Sequence, residues 1–325
     1  VKHLFVINPS AAKVKNNIPQ LINEILDFFS KNRHLRCEIH VTRWKRDASG
    51  YVHRYLSETD ETVRIHSFGG SGTLFEIVNG AVGLPNAEIA SYPLGENNEF
   101  ILYFGKEYEH LFRSIETQVA SGTTPVDAIR SGNVHGISHS LVGLEARSNL
   151  HSIEMAGRTK LPTNYRYILP ALKEILLGKA KAQKYKINID GVSCDGNYIS
   201  INIANGPCYG KEMCAAIDAH PNDGFLEVYM INEMSALKLL TIISPYTKGE
   251  YRKAPKYVKH FSGKKIVVSS NDVICFSVDG ENFYDKEIEF EAIHHAIKFV
   301  IPNEVDLKKL PRIYNHPEEG CVGDR

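Results

Sequence analysis

The sequence predicts a two-domain α/β chain: a parallel-sheet domain over residues 1–123, an antiparallel β-sandwich domain over 124–302, and a tail over 303–325. Three observations carry that expectation. In the first third of the chain, short apolar runs alternate with helical patterns, as strands and helices do around a parallel sheet. Past Thr123-Thr124-Pro125 the texture changes to closely spaced short strands separated by turn residues, the pattern of an antiparallel sandwich. The chain also has 325 residues, 43% hydrophobic and 23% charged, which is enough to bury one or two ordinary cores and too apolar for disorder.

Taken in order, the first strand is His3-Leu-Phe-Val-Ile7, which runs into Asn8-Pro9-Ser10. The helix after it carries Ile18, Leu21, Ile22, Ile25, Leu26 and Phe29 at helical spacing, all expected to face the sheet. Arg36 to Thr42 reads as the second strand, Ala48 to Leu56 as a helix, and Val63 to Phe68 as the third strand. Gly69-Gly70-Ser71-Gly72-Thr73 follows, and a helix beginning near Thr73 places Leu74, Ile77, Val78 and Ala81 on its buried face. The fourth strand, Glu88 to Tyr92, feeds Pro93-Leu94-Gly95. The turns after the first, third and fourth strands should share one carboxyl edge, where ligands bind in open α/β sheets.

Read by residue type alone, each turn keeps two meanings. The three glycines allow close backbone approach, so the third turn is either an anion cradle at a helix N-terminus or a plain tight turn. Asn8 and Ser10 either meet a phosphate or cap the helix, and Lys13 and Lys15 either lend it charge or are solvated.

In the second domain, strands are expected over Val126–Arg130, Val134–Leu141, Lys184–Ile189, Tyr198–Ala204, Phe225–Ile231, Lys265–Ser269, Val273–Val278, Glu287–Phe290 and Ala296–Val300. Asp279-Gly280-Glu281 has the composition of a hairpin turn. Asp223 in Asn222-Asp223-Gly224 serves either as a turn residue or as an oxygen ligand for a hard cation. Asn164 to Leu177 reads as an amphipathic helix followed by lysines, and 248–265 interleaves lysine and arginine with Tyr251, Tyr257 and Phe261. Both suit either an anionic bilayer or solvent. In the tail, Val305, Leu307 and Leu310 are expected to pack back on the first domain.

Lys+Arg and Asp+Glu both number 38, so no global field favours nucleic acid. The 6 cysteines are scattered without metal-type pairs, and no secretory pattern opens the sequence, so reduced thiols and a cytoplasmic setting are expected. The apolar run from Leu237 to Ile243 is far short of the roughly 20 residues of a membrane span, which leaves peripheral contact.

Several segments in order resemble the signatures of the diacylglycerol/lipid kinase catalytic family, which shares its fold with NAD kinases. They are Asn8-Pro9-Ser10, Gly69 to Thr73 with Glu76 and Asn79-Gly80, Pro93 to Phe100, Gly143-Leu144-Glu145-Ala146, Asn222-Asp223-Gly224 and Asp279-Gly280-Glu281. The resemblance implies an NAD kinase-like (Rossmann-like) nucleotide domain, a β-rich lipid domain, ATP and Mg2+ as cofactors, and phosphorylation of a lipid hydroxyl. It places the nucleotide on Asn8, Ser10, Gly69, Gly70, Ser71, Gly72, Thr73, Gly95 and Asn98, the base on Glu281, and a structural magnesium on Asp223. The implied partners are a lipid substrate, an anionic membrane surface met peripherally, and a second copy of the chain in a homodimer, with no nucleic acid. Departures from the pattern are Ser71 for an aspartate, Glu96 for a threonine, Glu99 and Glu145 for aspartates, and Lys211-Glu212 breaking a glycine run after Gly210. Ser71 and Glu96 support an alternative, a catalytically silent nucleotide- or lipid-binding protein that keeps the kinase fold.

Overall fold

The computed structural model describes residues 1–11, 17–95, 98–155, 159, 163–209 and 213–306, without the side chains of 163, 164 and 167. Lys13, Lys15, Glu96, Asn97, Gly210, Lys211, Glu212, Leu307 and Leu310 lie outside the described residues. The chain forms two compact units, one of Val1–Val126 with 295–306 and the other of Asp127–His294.

In the first unit, β1 (Lys2–Ile7), β2 (Arg36–Val41), β3 (Val63–Gly69) and β4 (Ala87–Pro93) pair in parallel in the order β2-β1-β3-β4. Phe299 of the last strand continues the sheet beside Ile89. Leu4 to Ile7 are fully buried, as a strand covered on both faces requires. The connecting helices are α1 (Ile18–Lys31), α2 (Asp47–Ser57) and α3 (Ser71–Ala81), with the short α4 (Glu99–Leu102), α5 (Glu109–Phe112) and α6 (Ile115–Ala120) after β4. On α1, Leu21, Ile25 and Phe29 are buried, but Leu26 is 49% exposed, because it sits about 100° around the helix from that stripe. The start of α3 at Ser71 is two residues earlier than the sequence suggested, with Gly70 as its N-cap. Leu74, Ile77, Val78 and Ala81 line its buried face.

Polar side chains tie this core together. Arg64, 7% exposed, donates from Nε to Glu88 Oε2 at 2.8 Å, and from Nη1 to the carbonyls of Gln118, Val119 and Ser121 that end α6, at 2.6, 3.0 and 2.9 Å. Gln118 spends its amide on the Ser91 and Phe112 carbonyls, so its Oε1 accepts from His66 Nδ1 at 3.0 Å. His66 Nε2 is then left to accept from His3 Nδ1 at 3.1 Å, which requires the His66 ring to be neutral. Phe5 stacks on His66 with centroids 4.3 Å apart.

The second unit takes in most of β5 (Thr123–Ser131), followed by β6 (Val134–Gly136), β7 (His139–Gly143), α7 (Leu144–Met155) and α8 (Thr163–Leu176). Then come β8 (Gln183–Ile189), β9 (Val192–Ser193), β10 (Gly196–Ala204), β11 (Leu226–Asn232), α9 (Ala236–Thr247), β12 (Val258–Gly263), β13 (Lys265–Val278) and β14 (Glu281–Val300). The antiparallel order is β12-β11-β10-β7-β13-β14, and β8 joins the other ends of β10 and β13, so β10, β7, β13 and β8 close a ring. Closure leaves those strands without an open edge. The strand expected over Val134–Leu141 is broken at Ile137-Ser138, whose N–H groups bond to Asp279 instead of to a neighbouring strand. Conversely, the two strands expected within 265–278 are one strand with a register shift between Ser269 and Ile274, and those within 287–300 belong to one strand starting at Glu281.

Cys208 and Cys214 form a disulfide, against the expectation of reduced thiols throughout. A loop closed by Tyr209 N to Met213 O at 2.8 Å brings their Cα atoms to 3.9 Å, a proximity that spacing alone does not reveal. Cys37, Cys194 and Cys275 are free. At the other end, Ile301 N bonds to Gly122 O at 3.3 Å, Gly122 N to Asn303 Oδ1 at 3.2 Å, and Val305 is buried. Among the described residues no helix is long and apolar enough to cross a membrane.

The histidine network makes stability depend on pH. Burial holds His66 down at about 3 and His3 at about 4, below the ~6.5 of an unfolded histidine. Below pH 6.5 the unfolded chain therefore takes up protons that the folded chain refuses, and stability is lost as pH falls toward 4. Urea midpoints measured at pH 7, 6, 5 and 4 are expected to fall at every step below 7; a midpoint flat from 6.5 to 5 would contradict neutral burial of these rings.

Candidate functional site

The carboxyl edge of the parallel sheet gathers three loops around Gly69, the last residue of β3. A Cβ on Gly69 would lie 2.2 Å from Thr73 Oγ1 and 2.6 Å from Thr73 Cβ, so no side chain fits there. Thr73 Oγ1 instead accepts from Asn8 Nδ2 at 3.0 Å, while Asn8 Oδ1 accepts from Ser10 N at 2.9 Å. The Gly69 carbonyl accepts from both Leu94 N and Gly95 N, at 2.9 and 3.0 Å, and Asn98 Nδ2 donates to Gly95 O at 3.1 Å. Six of the nine residues expected to hold a nucleotide are joined by these bonds, and Gly70, Ser71 and Gly72 lie in the turn between Gly69 and Thr73. Asn8 and Ser10 do not cap α1, which begins at Ile18 behind Asn17.

The first turn of α3 has no side-chain cap, and Gly72 is exposed. An uncapped helix N-terminus behind a glycine turn suits an anion through its free N–H groups and about half a positive charge. Glu76, part of the motif, has a different use: its carboxylate accepts from Arg46 N at 2.8 Å and Ala48 N at 3.2 Å and so caps α2.

In the second unit the Asp279-Gly280 turn has φ of 43° and 86°, the left-handed pair of a tight hairpin that Asp and Gly tolerate best. Glu281 opens β14 opposite Val278 and is partly exposed. Asp279 is buried and accepts from Ile137 N, Ser138 N and His139 N at 2.6, 2.9 and 2.9 Å. Burial pushes its carboxyl up, and the three donors oppose the shift. On the other side of the turn, Asn149 Nδ2 donates to Gly280 O at 2.7 Å and to Asn282 Oδ1 at 2.8 Å. Glu145 is likewise structural: it accepts from Ser200 Oγ at 2.7 Å and from the Tyr209 hydroxyl, and burial raises it. Burial lowers nearby His139 to about 4.

Asp223 Oδ1 accepts from Phe225 N at 2.9 Å, an Asx turn, and Asp223 belongs to no group of three ligating side chains among the described residues. A magnesium ion there would have to draw on backbone carbonyls and water as well. The neighbouring Gly224 N donates to Asp127 Oδ2 at 2.7 Å, while His294 Nδ1 meets Asp127 Oδ1 at 2.8 Å. Sequence reading missed Asp127; its signal was one charge inside the apolar strand Val126-Asp-Ala-Ile129.

The basic stretches lie over aromatic rings. Lys238 and Lys256 flank Tyr257, Arg252 covers Tyr251, Lys259 covers Tyr198, and Lys264 covers Phe225. Meanwhile α8 buries Arg166 and Ile175 yet leaves Tyr165, Ile168, Leu169 and Leu176 exposed.

Two family models match the chain, one described as diacylglycerol kinase catalytic domain over residues 2–131 and one as YegS C-terminal NAD kinase beta sandwich-like domain over 139–301. Curated relatives include the “Putative lipid kinase” of Staphylococcus aureus (strain Mu3), 26% identical over 73% of this chain and 76% of its own length. Another is the “Probable lipid kinase YegS-like” of Shewanella frigidimarina, 25% identical over 77% of this chain and 80% of its own. A crystal structure of “a putative diacylglycerol kinase from Bacillus anthracis str. Sterne” covers 94% of this chain and 98% of its own at TM-score 0.72 and 19% identity, a likeness of fold.

Two substitutions probe this geometry. Gly69→Ala is expected to displace Thr73 and cost about 1–3 kcal/mol in urea unfolding; an unchanged midpoint would show that the contact relaxes freely. Asp279→Ala strands three buried N–H groups and should cost about 3 kcal/mol or more, with Asp279→Asn recovering only part.

Proposed function

The chain belongs to the diacylglycerol/lipid kinase family, and from that membership we propose that it transfers the γ-phosphoryl group of ATP to a lipid hydroxyl. In this reading the parallel-sheet unit is a Rossmann-like nucleotide domain, with Gly69 to Thr73, Asn8, Ser10, Gly95 and Asn98 around the phosphates. The observation that carries the reading is the uncapped start of α3 behind a glycine that admits no side chain. The lipid hydroxyl oxygen attacks the γ-phosphorus, the bond to the β,γ-bridging oxygen breaks, and ADP leaves with that oxygen. Glu281, placed at a strand start and partly exposed, takes the hydroxyl proton. When bound, magnesium supplies charge stabilisation on the phosphates, and Asp223 would hold a structural ion. The exposed apolar face of α8, with Lys173 on the same helix and Lys179 and Lys181 just beyond it, suits an anionic bilayer where such a lipid resides.

Ser71 favours a second reading, a silent nucleotide- or lipid-binding protein, because a hydroxyl organises a metal far less well than a carboxylate. The two readings separate by variant kinetics. Glu281→Gln is expected to lower transfer by roughly 10² to 10⁴ while MgATP affinity by calorimetry stays nearly constant, and Ser71→Asp to keep or raise activity. Transfer that survives Glu281→Gln would remove the base assignment. MgATP binding with no transfer to diacylglycerol, sphingoid or polyprenyl acceptors would favour the silent reading.

A further inference from the structure

We propose that Asn149, on α7, is a positioning residue for Glu281: its side-chain amide holds the residues on both sides of that glutamate and so aims the carboxylate that takes the proton of the lipid hydroxyl. The inference rests on the reading of Glu281 as base and adds what orients it. Glu281 is the first residue of β14 after the Asp279-Gly280 turn, paired with Val278 across the hairpin. The ladder sets the direction of the strand, whereas the peptide group that leads from Gly280 into Glu281 belongs to the turn. The carbonyl of that peptide, Gly280 O, accepts from Asn149 Nδ2 at 2.7 Å. A peptide group is planar, so holding its oxygen sets the plane in which the N and Cα of Glu281 lie. Asn149 Nδ2 also donates to Asn282 Oδ1 at 2.8 Å, and Asn282 Nδ2 donates to Ala146 O at 2.9 Å. The residues before and after Glu281 are thus both tied to α7.

The two ends of this network determine its polarity. Gly280 O and Ala146 O are main-chain carbonyls and only accept, so Asn149 and Asn282 must each turn an NH2 toward one of them. Asn282 then presents its oxygen to Asn149, which meets it with its second N–H. Asn149 is 2% exposed and lies with Ala146, Ser148 and Ser152 among the buried residues of α7, so the amide is shielded from water. An amide also brings no charge to the carboxylate that it positions. The turn is held independently from its other side, where Asp279 accepts from Ile137 N, Ser138 N and His139 N. Residues 137–149 therefore grip the turn at both ends: the main chain entering β7 takes the aspartate, and α7 after it takes the neighbours of the glutamate. Such a grip matters for a general base, because a displacement of about 1 Å can cost roughly 10²-fold in rate.

The test is steady-state transfer from radiolabelled MgATP to diacylglycerol, sphingoid and polyprenyl acceptors in mixed micelles. Asn149→Ala is expected to lower kcat by about 10- to 100-fold and to leave KM for MgATP within about twofold of wild type. Added to Glu281→Gln it should cost less than about twofold more, because a residue that acts through the base has nothing left to position. Asn149→Asp, the same shape without N–H donors, should lose as much as Asn149→Ala, and Asn149→Gln, which keeps the amide, should recover part of the loss. A folded Asn149→Ala with kcat within about twofold of wild type, a loss carried by KM instead of kcat, or an equal loss in the Glu281→Gln background overturns the positioning role and leaves the base assignment standing. Transfer that survives Glu281→Gln removes the base and this inference with it, and no wild-type transfer to any acceptor removes the kinase reading as well. Should Asn149→Ala fail to fold, Asn282→Ala takes its place; it leaves Asn149 the Gly280 carbonyl alone and should lower kcat by about threefold or more. Should Glu281→Gln transfer too little for the double variant to be measured, the kcat and KM of the single variants decide.

Discussion

A hydrogen at Gly69, where any other residue would put a carbon 2.2 Å from the Thr73 hydroxyl, is what the carboxyl edge of the parallel sheet depends on. Because the space is empty, that hydroxyl reaches Asn8 and joins the end of β1 to the start of α3. The carbonyl of the same residue takes two N–H groups from the loop after β4, so three loops close on one position. The first turn of α3 is nevertheless left without a side-chain cap, which with glycine at the N-cap costs a few tenths of a kcal/mol. A helix start without a side-chain cap thus sits beside a backbone held from three sides.

Acidic residues divide along the same line. Asp279, Glu76 and one oxygen of Asp127 accept from backbone N–H groups, and Glu145 accepts from the Ser200 and Tyr209 hydroxyls. In Asp279-Gly280-Glu281 the two acids therefore have different work. The aspartate sits in the left-handed turn with its carboxylate buried against three donors, while the glutamate begins a strand and stays partly exposed. Both oxygens of the first are taken up by backbone donors, and only the second is partly exposed.

The parallel strands and their helices were legible because apolar periodicity records them directly: Leu74, Ile77, Val78 and Ala81 are buried as their spacing requires. Periodicity says less at the margins of a stripe, so Leu26 was misjudged. The break at Ile137-Ser138 could not be read locally, since it is imposed by a carboxylate more than a hundred residues away. The role of Asp127 was hidden by equally distant partners, whereas the Cys208–Cys214 disulfide depends on a local loop closure that residue spacing does not reveal. At the candidate site, glycine composition pointed to the cradle, whereas the capping of α2 by Glu76 became visible only once α2 and α3 were placed side by side.

Ser71 changes what this turn can offer a ligand. A carboxylate at 71 would repel a phosphate about 4 Å away by ~4 kcal/mol at an effective dielectric near 20 unless a metal stood between them. A serine hydroxyl carries no charge, so it removes that repulsion and the metal's foothold together.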